Sequence, residues 1–198
     1  KRIEINYDRC YSLEKADTNT MAVMKPRARG DKCPHCGSGL VDMITLDGRD
    51  ERLQFIGVDG KITATCCPSC IMFSSTVYGS FDLEGNGEAV FPYNGLGEQE
   101  ECYISEVDFQ ETSINALMLS EVERPLFYGA EDWEAATIGG FAHWMNDCYI
   151  PACPHCGKLM RYLAQIPYKK VTKAGPEGSI YMEICTDCRM VALQYQQT

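Results

Sequence analysis

Residues 33–37 read Cys-Pro-His-Cys-Gly, and residues 153–157 repeat these five letters without a change. Each copy is followed by a second Cys-x-x-Cys pair, after 30 intervening residues in the first half and 28 in the second. Two cysteine pairs joined by a long connection are typical of a zinc ribbon, because each tight turn aims two thiolates at one ion. The chain is therefore predicted to contain two ribbons.

The eight cysteines predict two structural zinc ions. Four thiolates fill the tetrahedral shell that zinc prefers, so neither ion has a position open to water or substrate. The similar gaps favour one ion in each half, although pairing across the halves stays open. His35 and His155 would be fifth donors and are interpreted as exposed loop residues. The predicted ligands are Cys33, Cys36, Cys67 and Cys70 for one ion, and Cys153, Cys156, Cys185 and Cys188 for the other.

The second half of the chain repeats the first half beyond the cysteines. With an offset of 118 residues, Ile62 aligns with Ile180 on the approach to the second cysteine pair. Such a repeat indicates the duplication of one supersecondary unit, here a hairpin beside each metal site. The same alignment makes Cys66 equivalent to Ile184, which is at an inward strand position. Cys66 is therefore interpreted as a packed hydrophobic residue, and its neighbour Cys67 as the ligand.

The hydrophobic pattern predicts a mostly β fold with one or two short helices. Residues 113–122 and 133–138 fit either a strand or a helix. Two duplicated zinc-ribbon and β-sheet modules are expected to form one compact unit, with residues 1–100 (including an N-terminal strand) as the first module and residues 101–198 as the second. The segments with a strand pattern are 40–46, 61–66 and 71–78.

The composition is that of an ordinary globular chain, with 45% hydrophobic and 23% charged residues over 198 positions. No run of apolar residues reaches the roughly 18 that a membrane span needs, and the first residues lack the apolar region of a signal peptide. Eight of the twelve cysteines fall into Cys-x-x-Cys pairs. This favours zinc thiolates in a reducing cytoplasm over a disulfide framework.

The net charge of −10 is unevenly distributed. Residues 81–135 carry one basic residue, Arg124, against fourteen acidic ones. An acidic chain repels phosphate backbones, so nucleic acid is an unfavourable partner. The acidic stretch is interpreted as a solvated surface, with a surface for a basic protein partner as the alternative.

Residues 138–165 combine Gly139-Gly140, Trp144, the second Cys-x-x-Cys pair and Gln165. This resembles the Gly-Gly-x-Pro-x-Trp-x-Gln, Cys-x-x-Cys, Leu-x-Gln pattern of the YwqG-like bacterial family of unknown function, and most of the chain from about residue 30 is covered. Ala142 stands where that family has proline, and Asn146 where it has glutamine. The same order is also similar to the start of the programmed cell death protein 2 family, whose members act as chaperones for a ribosomal protein.

These resemblances imply an architecture that holds a protein client, or a role in immunity to a toxin. The function expected is that of a non-enzymatic, zinc-stabilised protein-binding module, with Gly139, Gly140, Trp144 and Gln165 as weak candidates for partner contact. In the alternative interpretation, Trp144 anchors the core and Gln165 caps a strand edge. A nucleic-acid-binding zinc-ribbon protein is the second hypothesis, and it rests on a basic stretch of Lys158, Arg161, Lys169, Lys170 and Lys173.

Overall fold

The computed structural model describes residues 4–17, 23–27, 31–74, 76–94, 116–171 and 177–198. The fold is mostly β, as the sequence predicts, with one large sheet and one small sheet in a compact unit. Within the described ranges, none of the helices has the length and apolar character needed to cross a membrane.

Eleven strands and two short helices are present in the described residues. The strands are β1 (Tyr7–Lys15), β2 (Val23–Pro26), β3 (Val41–Asp47), β4 (Lys61–Cys66), β5 (Thr76–Phe81), β6 (Gly87–Asn94), β7 (Leu117–Leu119), β8 (Thr137–Gly140), β9 (Arg161–Pro167), β10 (Ser179–Cys185) and β11 (Met190–Gln196). The helices are α1 (Tyr128–Glu131) and α2 (Tyr168–Val171), and single 3-10 turns lie at Gln54–Ile56 and Cys70–Met72.

The large sheet contains strands from both halves of the chain, in the order β6-β5-β11-β10-β9-β8-β1-β7. The small sheet has the order β2-β3-β4 and joins the β5–β6 end of the large one. There, the Thr63 hydroxyl donates a hydrogen bond of 2.9 Å to the carbonyl of Gly85, and Arg27 donates one of 2.5 Å to the carbonyl of Gly87. The expected module boundary near residue 100 lies outside the described residues, so that division stays a prediction.

The repeat in the sequence is a repeat of the backbone. In the β3–β4 hairpin Val41 pairs with Cys66, and in the β9–β10 hairpin Arg161 pairs with Ile184, the residues at offsets of 120 and 118. Each hairpin also skips one residue at the same point, Met43 in the first and Leu163 in the second. A β-bulge at matched positions bends both hairpins in the same way.

The strand after the second cysteine pair differs between the two modules. In the second module Arg189 has a φ of 54°, which closes a tight turn so that β11 folds back onto β10. In the first module the 3-10 turn at Cys70–Met72 delays β5 until Thr76, and β5 pairs with β11 instead of β4. The prediction of a strand over 71–78 is therefore wrong for its first residues. The delayed strand pairs with the second module, as β1 also does through β7 and β8.

The main core lies between the inward faces of the two hairpins. Residues that are fully or almost fully buried there include Ile44, Leu46, Ile62, Ile180 and Ile184. Each such side chain stabilises the fold by about 1.5–3 kcal/mol relative to an exposed one. Cys66 lies in the same core with no exposed surface, and burial raises the pKa of its thiol. Cys66 therefore packs as a neutral hydrophobic residue, as the repeat predicts.

Candidate metal centres

The first candidate metal centre lies at the end of the β3–β4 hairpin, where the sulfur atoms of Cys33, Cys36, Cys67 and Cys70 all lie within 4.8 Å of one another. The separations are 3.7 Å for Cys33–Cys70, 3.5 Å for Cys36–Cys67 and 3.7 Å for Cys36–Cys70. The second centre repeats this arrangement at the β9–β10 hairpin with Cys153, Cys156, Cys185 and Cys188. Each centre is thus formed within its own repeat.

The sulfur geometry fits a tetrahedral ion in both centres. A zinc–sulfur bond of about 2.3 Å places the four sulfurs of a tetrahedron about 3.8 Å apart. The Cys156–Cys185 separation of 3.8 Å in the second centre agrees with that value. Disulfide bonding would instead bring two sulfurs to about 2.05 Å. Both groups could therefore hold a metal ion, and four thiolates are a donor set that suits zinc.

In each centre a glycine follows the first Cys-x-x-Cys pair (a turn that we call a knuckle), and the backbone of this turn explains why. The N–H of Gly37 donates to the Cys33 carbonyl at 2.8 Å, and the N–H of Gly157 donates to the Cys153 carbonyl at 2.8 Å. Gly37 has a φ of 76° and Gly157 a φ of 72°, in the left-handed region that glycine adopts without strain. Both turns therefore require glycine for the conformation that aims the two sulfurs together.

The two centres differ in exposure and in the packing around them. Cys33, Cys67 and Cys70 are each 3% exposed or less and belong to the main core. In the second centre Cys156 is exposed and Cys188 half-buried. The remaining second-centre residues pack in a small separate cluster with Met160, Met190 and Ala192. Cys36 of the first centre is half-buried, so the first centre is the more buried of the two and the second is the more exposed.

An irregular segment, residues 141–152, crosses the face of the large sheet and ends beside the second centre. We call it the strap. Its backbone is held by side chains from the sheet below: the Tyr181 hydroxyl donates to the His143 carbonyl and accepts from the Met145 N–H. Gln194 donates to the Tyr149 carbonyl at 3.0 Å. Such bonds satisfy backbone groups that have no strand partner. The Gln196 side chain accepts a hydrogen bond from the Asn146 N–H and donates one to the Asp147 carbonyl, and the Tyr78 hydroxyl donates one to the Ala152 carbonyl.

Gly139 and Gly140, two of the predicted partner-binding residues, are buried at the end of β8. Their φ values are 76° and 69°. A Cβ on Gly139 would lie 2.2 Å from the Arg9 carbonyl oxygen, and one on Gly140 would lie 2.6 Å from the Leu126 carbonyl oxygen. Glycine is required here by both conformation and space. In this arrangement neither residue presents a surface to a partner.

Gln165 and Trp144, the other two candidates, contact the protein itself. Gln165 is fully buried, and its side chain accepts from the His143 N–H at 2.7 Å and donates to the Ala135 carbonyl at 2.9 Å. Trp144 stacks on Tyr181 with ring centroids 4.5 Å apart and is half-buried. These contacts favour the packing interpretation of both residues. Direct contact with a partner stays a prediction, and of the four candidates only Trp144 has surface for it.

Glu183 is a buried carboxyl that the sequence analysis did not identify. It lies on the strap side of β10, opposite Tyr162 of β9 and Ala192 of β11. Neither of its oxygens has a hydrogen-bond partner within the described part of the chain. Burial raises the pKa of Glu183 to about 8, and the Gln194 side chain opposes this shift. A signal for it was present in the sequence, since Glu183 interrupts the apolar run of residues 180–185, and such a run is typical of a strand covered on both faces.

Two of the four described residues of the basic stretch that suggested nucleic-acid binding form ion pairs with carboxylates. Lys158 forms an ion pair of 2.9 Å with Asp187, which raises the pKa of the lysine. Lys169 lies 3.5 Å from Glu134. Arg161 lies over the Tyr7 ring, 3.8 Å from its centroid. Lys173 lies outside the described residues. Lys158 and Lys169 therefore have acidic neighbours, which weaken the attraction of this stretch for a phosphate backbone.

Comparison with known proteins gives one informative relative. An uncharacterized protein named YpfL, from Salmonella typhimurium strain LT2, is 29% identical over 203 residues. The alignment covers all of this chain but 47% of the relative, so the chain spans about half the length of the curated relative it matches. No family model and no solved structure matches the chain. The resemblances to the YwqG-like and programmed cell death protein 2 families therefore stay predictions, and the chain is similar to an uncharacterized bacterial protein.

Proposed function

We propose that the protein is a non-enzymatic protein-binding module whose fold is stabilised by two zinc ions. The observation that carries this proposal is the convergence of four sulfur atoms in each of two groups, all within 4.8 Å of one another. An ion held by four thiolates has no open position, so it contributes folding free energy rather than a reaction centre.

Metal removal tests the stabilising role. Treatment with a chelator should abolish the circular dichroism signal of the fold and lower the melting temperature, because binding energy at such sites is folding energy. Adding zinc back should restore both. A chelated protein that is free of metal by mass spectrometry but unchanged in dichroism and melting temperature would contradict the proposal.

The compartment proposed is the cytoplasm. All eleven cysteines in the described ranges are free thiols. A reducing compartment keeps such thiols available to a metal, whereas an oxidising one converts closely spaced thiols to disulfides. Fractionation of the native host, with an antibody against the protein, measures the location.

The partner surface proposed is an exposed apolar site near α1, which we call the Phe127 patch and define as Phe127 and Phe141. Phe127 is 57% exposed, and its ring stacks on that of Phe141 at 4.8 Å. Val122, earlier in the same segment of the chain, is 68% exposed. Exposed large apolar side chains at one place are typical of interaction sites. Acidic side chains border the patch, among them Glu121 and Glu131.

The acidic border supports a basic protein segment with apolar residues as the occupant. Glu121 is 80% exposed and lies 3.4 Å from Arg52, a surface pair of little net energy that leaves the carboxylate accessible. Complementary charge speeds association and selects against acidic partners. This agrees with the acidic character of residues 81–135.

Partner capture from the native host tests the surface. The bait is the purified protein, compared with a Phe127→Ser variant and with Leu159→Ser as a matched control, because Leu159 is also exposed but lies at the second ribbon. We expect specific proteins to be retained by the wild type and the control, lost with Phe127→Ser, and weakened by added salt. Retention that is equal for all three baits would contradict the proposed surface.

An enzyme would need a polar pocket in which reactive groups converge. A cleft of about 440 Å³ lies beside the end of β1, and its lining includes Lys169, Lys170 and Glu134. Lys169 forms surface ion pairs with Glu134 at 3.5 Å and Glu177 at 3.7 Å. No cysteine of either metal centre lines this cleft. Cleft and metal therefore form no common site, which supports the non-enzymatic proposal.

A further inference from the structure

The two metal centres are duplicates in sequence but not in accessibility. In the first centre three of the four cysteines are 3% exposed or less and the fourth, Cys36, is half-buried. In the second, Cys156 is exposed and Cys188 half-buried, and they come from the two different knuckles of that centre. Oxidation of a cysteine follows its exposure and thiolate character. An oxidant in solution therefore reaches the second centre far more easily than the first.

The packing around each centre determines how much of the structure would be disrupted if that centre lost its metal ion. Cys33, Cys67 and Cys70 are part of the main core, so opening the first centre would expose that core to water. The second centre packs only with a small cluster that includes Met160 and Met190. The strands beneath it are also held to each other by backbone pairing along seven residues between β10 and β11. Loss of a metal from the second centre is therefore a local event.

From this asymmetry we infer that the second centre is an oxidation-sensitive metal site, which releases its zinc reversibly while the first centre retains its own. The inference rests on the proposed occupancy of both centres by zinc. The oxidant is a peroxide, and the two reacting groups are the Cys156 and Cys188 thiolates, whose sulfurs lie within 4.8 Å of each other.

The chemistry balances as a two-electron oxidation. The Cys156 thiolate attacks a peroxide oxygen, the O–O bond breaks, and the products are a sulfenic acid and hydroxide when the peroxide is hydrogen peroxide. The Cys188 thiolate then attacks that sulfur, forming the S–S bond and releasing a second hydroxide. The metal loses two of its four ligands and leaves the remaining pair, Cys153 and Cys185. A thiol reductant reverses the step by disulfide exchange, after which zinc binds again.

Zinc release from the intact protein measures the asymmetry. The protein carrying two zinc ions, counted by native mass spectrometry, is mixed with hydrogen peroxide and a coloured zinc chelator. We expect one equivalent to be released about tenfold faster or more than the other, the effect of a small difference in barrier. The circular dichroism should be retained after the first equivalent, and peptide mapping should find a Cys156–Cys188 disulfide with the four cysteines of the first centre still reduced.

Paired variants at duplicated positions localise the effect. Cys156→Ser should remain folded with one zinc ion and show no fast release, whereas Cys36→Ser, at the equivalent position of the first centre, should lose stability or fail to fold. If both equivalents leave the wild-type protein at one rate with loss of dichroism, the inference is overturned and the two-zinc proposal stands. A purified protein that binds no metal would instead overturn the proposed function itself.

Discussion

Replacing Glu183 with glutamine tests the electrostatics beneath the strap. Burial raises the pKa of Glu183 from its ordinary value of 4.5 to about 8, with Gln194 opposing the shift. In the unfolded chain the same carboxyl loses its proton near its ordinary pKa. Between the two pKa values the folded state holds more protons than the unfolded state, so the free energy of unfolding falls as the pH rises. Glutamine has nearly the same shape and does not titrate.

The size of the effect follows from the pKa difference. Each pH unit inside this window lowers the free energy of unfolding by about 1.4 kcal/mol. Between about pH 5.5 and about pH 7.5 the loss caused by Glu183 is therefore about 3 kcal/mol. We expect the stability advantage of Glu183→Gln over the wild type to be larger at the higher pH by that amount.

Urea unfolding at the two pH values, followed by tryptophan fluorescence in the presence of zinc, measures this advantage. The quantity compared is the difference between variant and wild type, so that protonation of the cysteine ligands cancels. Glu177→Gln is the control, because Glu177 is 75% exposed and its replacement should change stability by less than about 0.5 kcal/mol at either pH. A Glu183→Gln advantage that is the same at both pH values would refute the reasoning.

Three further predictions test the packing and the assignment of a metal ligand. Gly139→Ala should destabilise the protein by about 3 kcal/mol in urea unfolding, from both a positive φ and a clash with a carbonyl oxygen at 2.2 Å. Gly57→Ala, with a similar φ of 80° but open space, should cost only about 1–2 kcal/mol. Gln165→Leu should cost about 3 kcal/mol, because it leaves buried backbone groups unpaired, and a cost near zero would argue against its bridging role. Cys66→Ala should retain both zinc ions by elemental analysis, whereas Cys67→Ala should lose one, and an equal loss would reassign the ligand.

The sequence was sufficient for features that depend on short spacings and on the repeat. The Cys-x-x-Cys pairs predict two groups of four sulfurs, because the turn that brings a pair together is local. The offset of 118 residues aligned Cys66 with the apolar residue Ile184 and so predicted that Cys66 is buried. In the structure the two residues occupy equivalent positions of the two hairpins. A duplicated unit carries its own pairing information, since each hairpin must fold on itself before it meets its copy.

Features that depend on distant pairing were not accessible in this way. Alternation along a strand indicates which side faces the core but not which strand lies beside it. The pairing of β5 with β11 therefore could not be inferred, although it places a strand of the first half of the chain beside the second hairpin in the large sheet. The strap was missed for a related reason. It has no periodic pattern, and its backbone is held by Tyr181 and Gln194, residues far from it in sequence.

The two hairpins differ most on the face turned away from the main core. At equivalent positions the first has Thr63 and Thr65, whereas the second has Tyr181 and Glu183. The small threonines let β6 approach so closely that a Cβ on Gly87 would lie 2.3 Å from the Thr65 hydroxyl. The second hairpin carries larger side chains on this face, and the strap rather than a strand covers them.

The strap is therefore a part of the second module that lies outside the duplicated hairpin. It begins at Phe141, which stacks on Phe127 in the patch proposed for a partner, and it ends at Ala152, next to Cys153 of the exposed metal centre. Between residues 143 and 149 its backbone is held by side-chain hydrogen bonds from the sheet. A partner at the patch and a metal at the second centre would act on opposite ends of one irregular segment. In physical terms, the duplicated hairpins hold the two metal centres, and the strap connects the proposed partner surface to the proposed site of metal release.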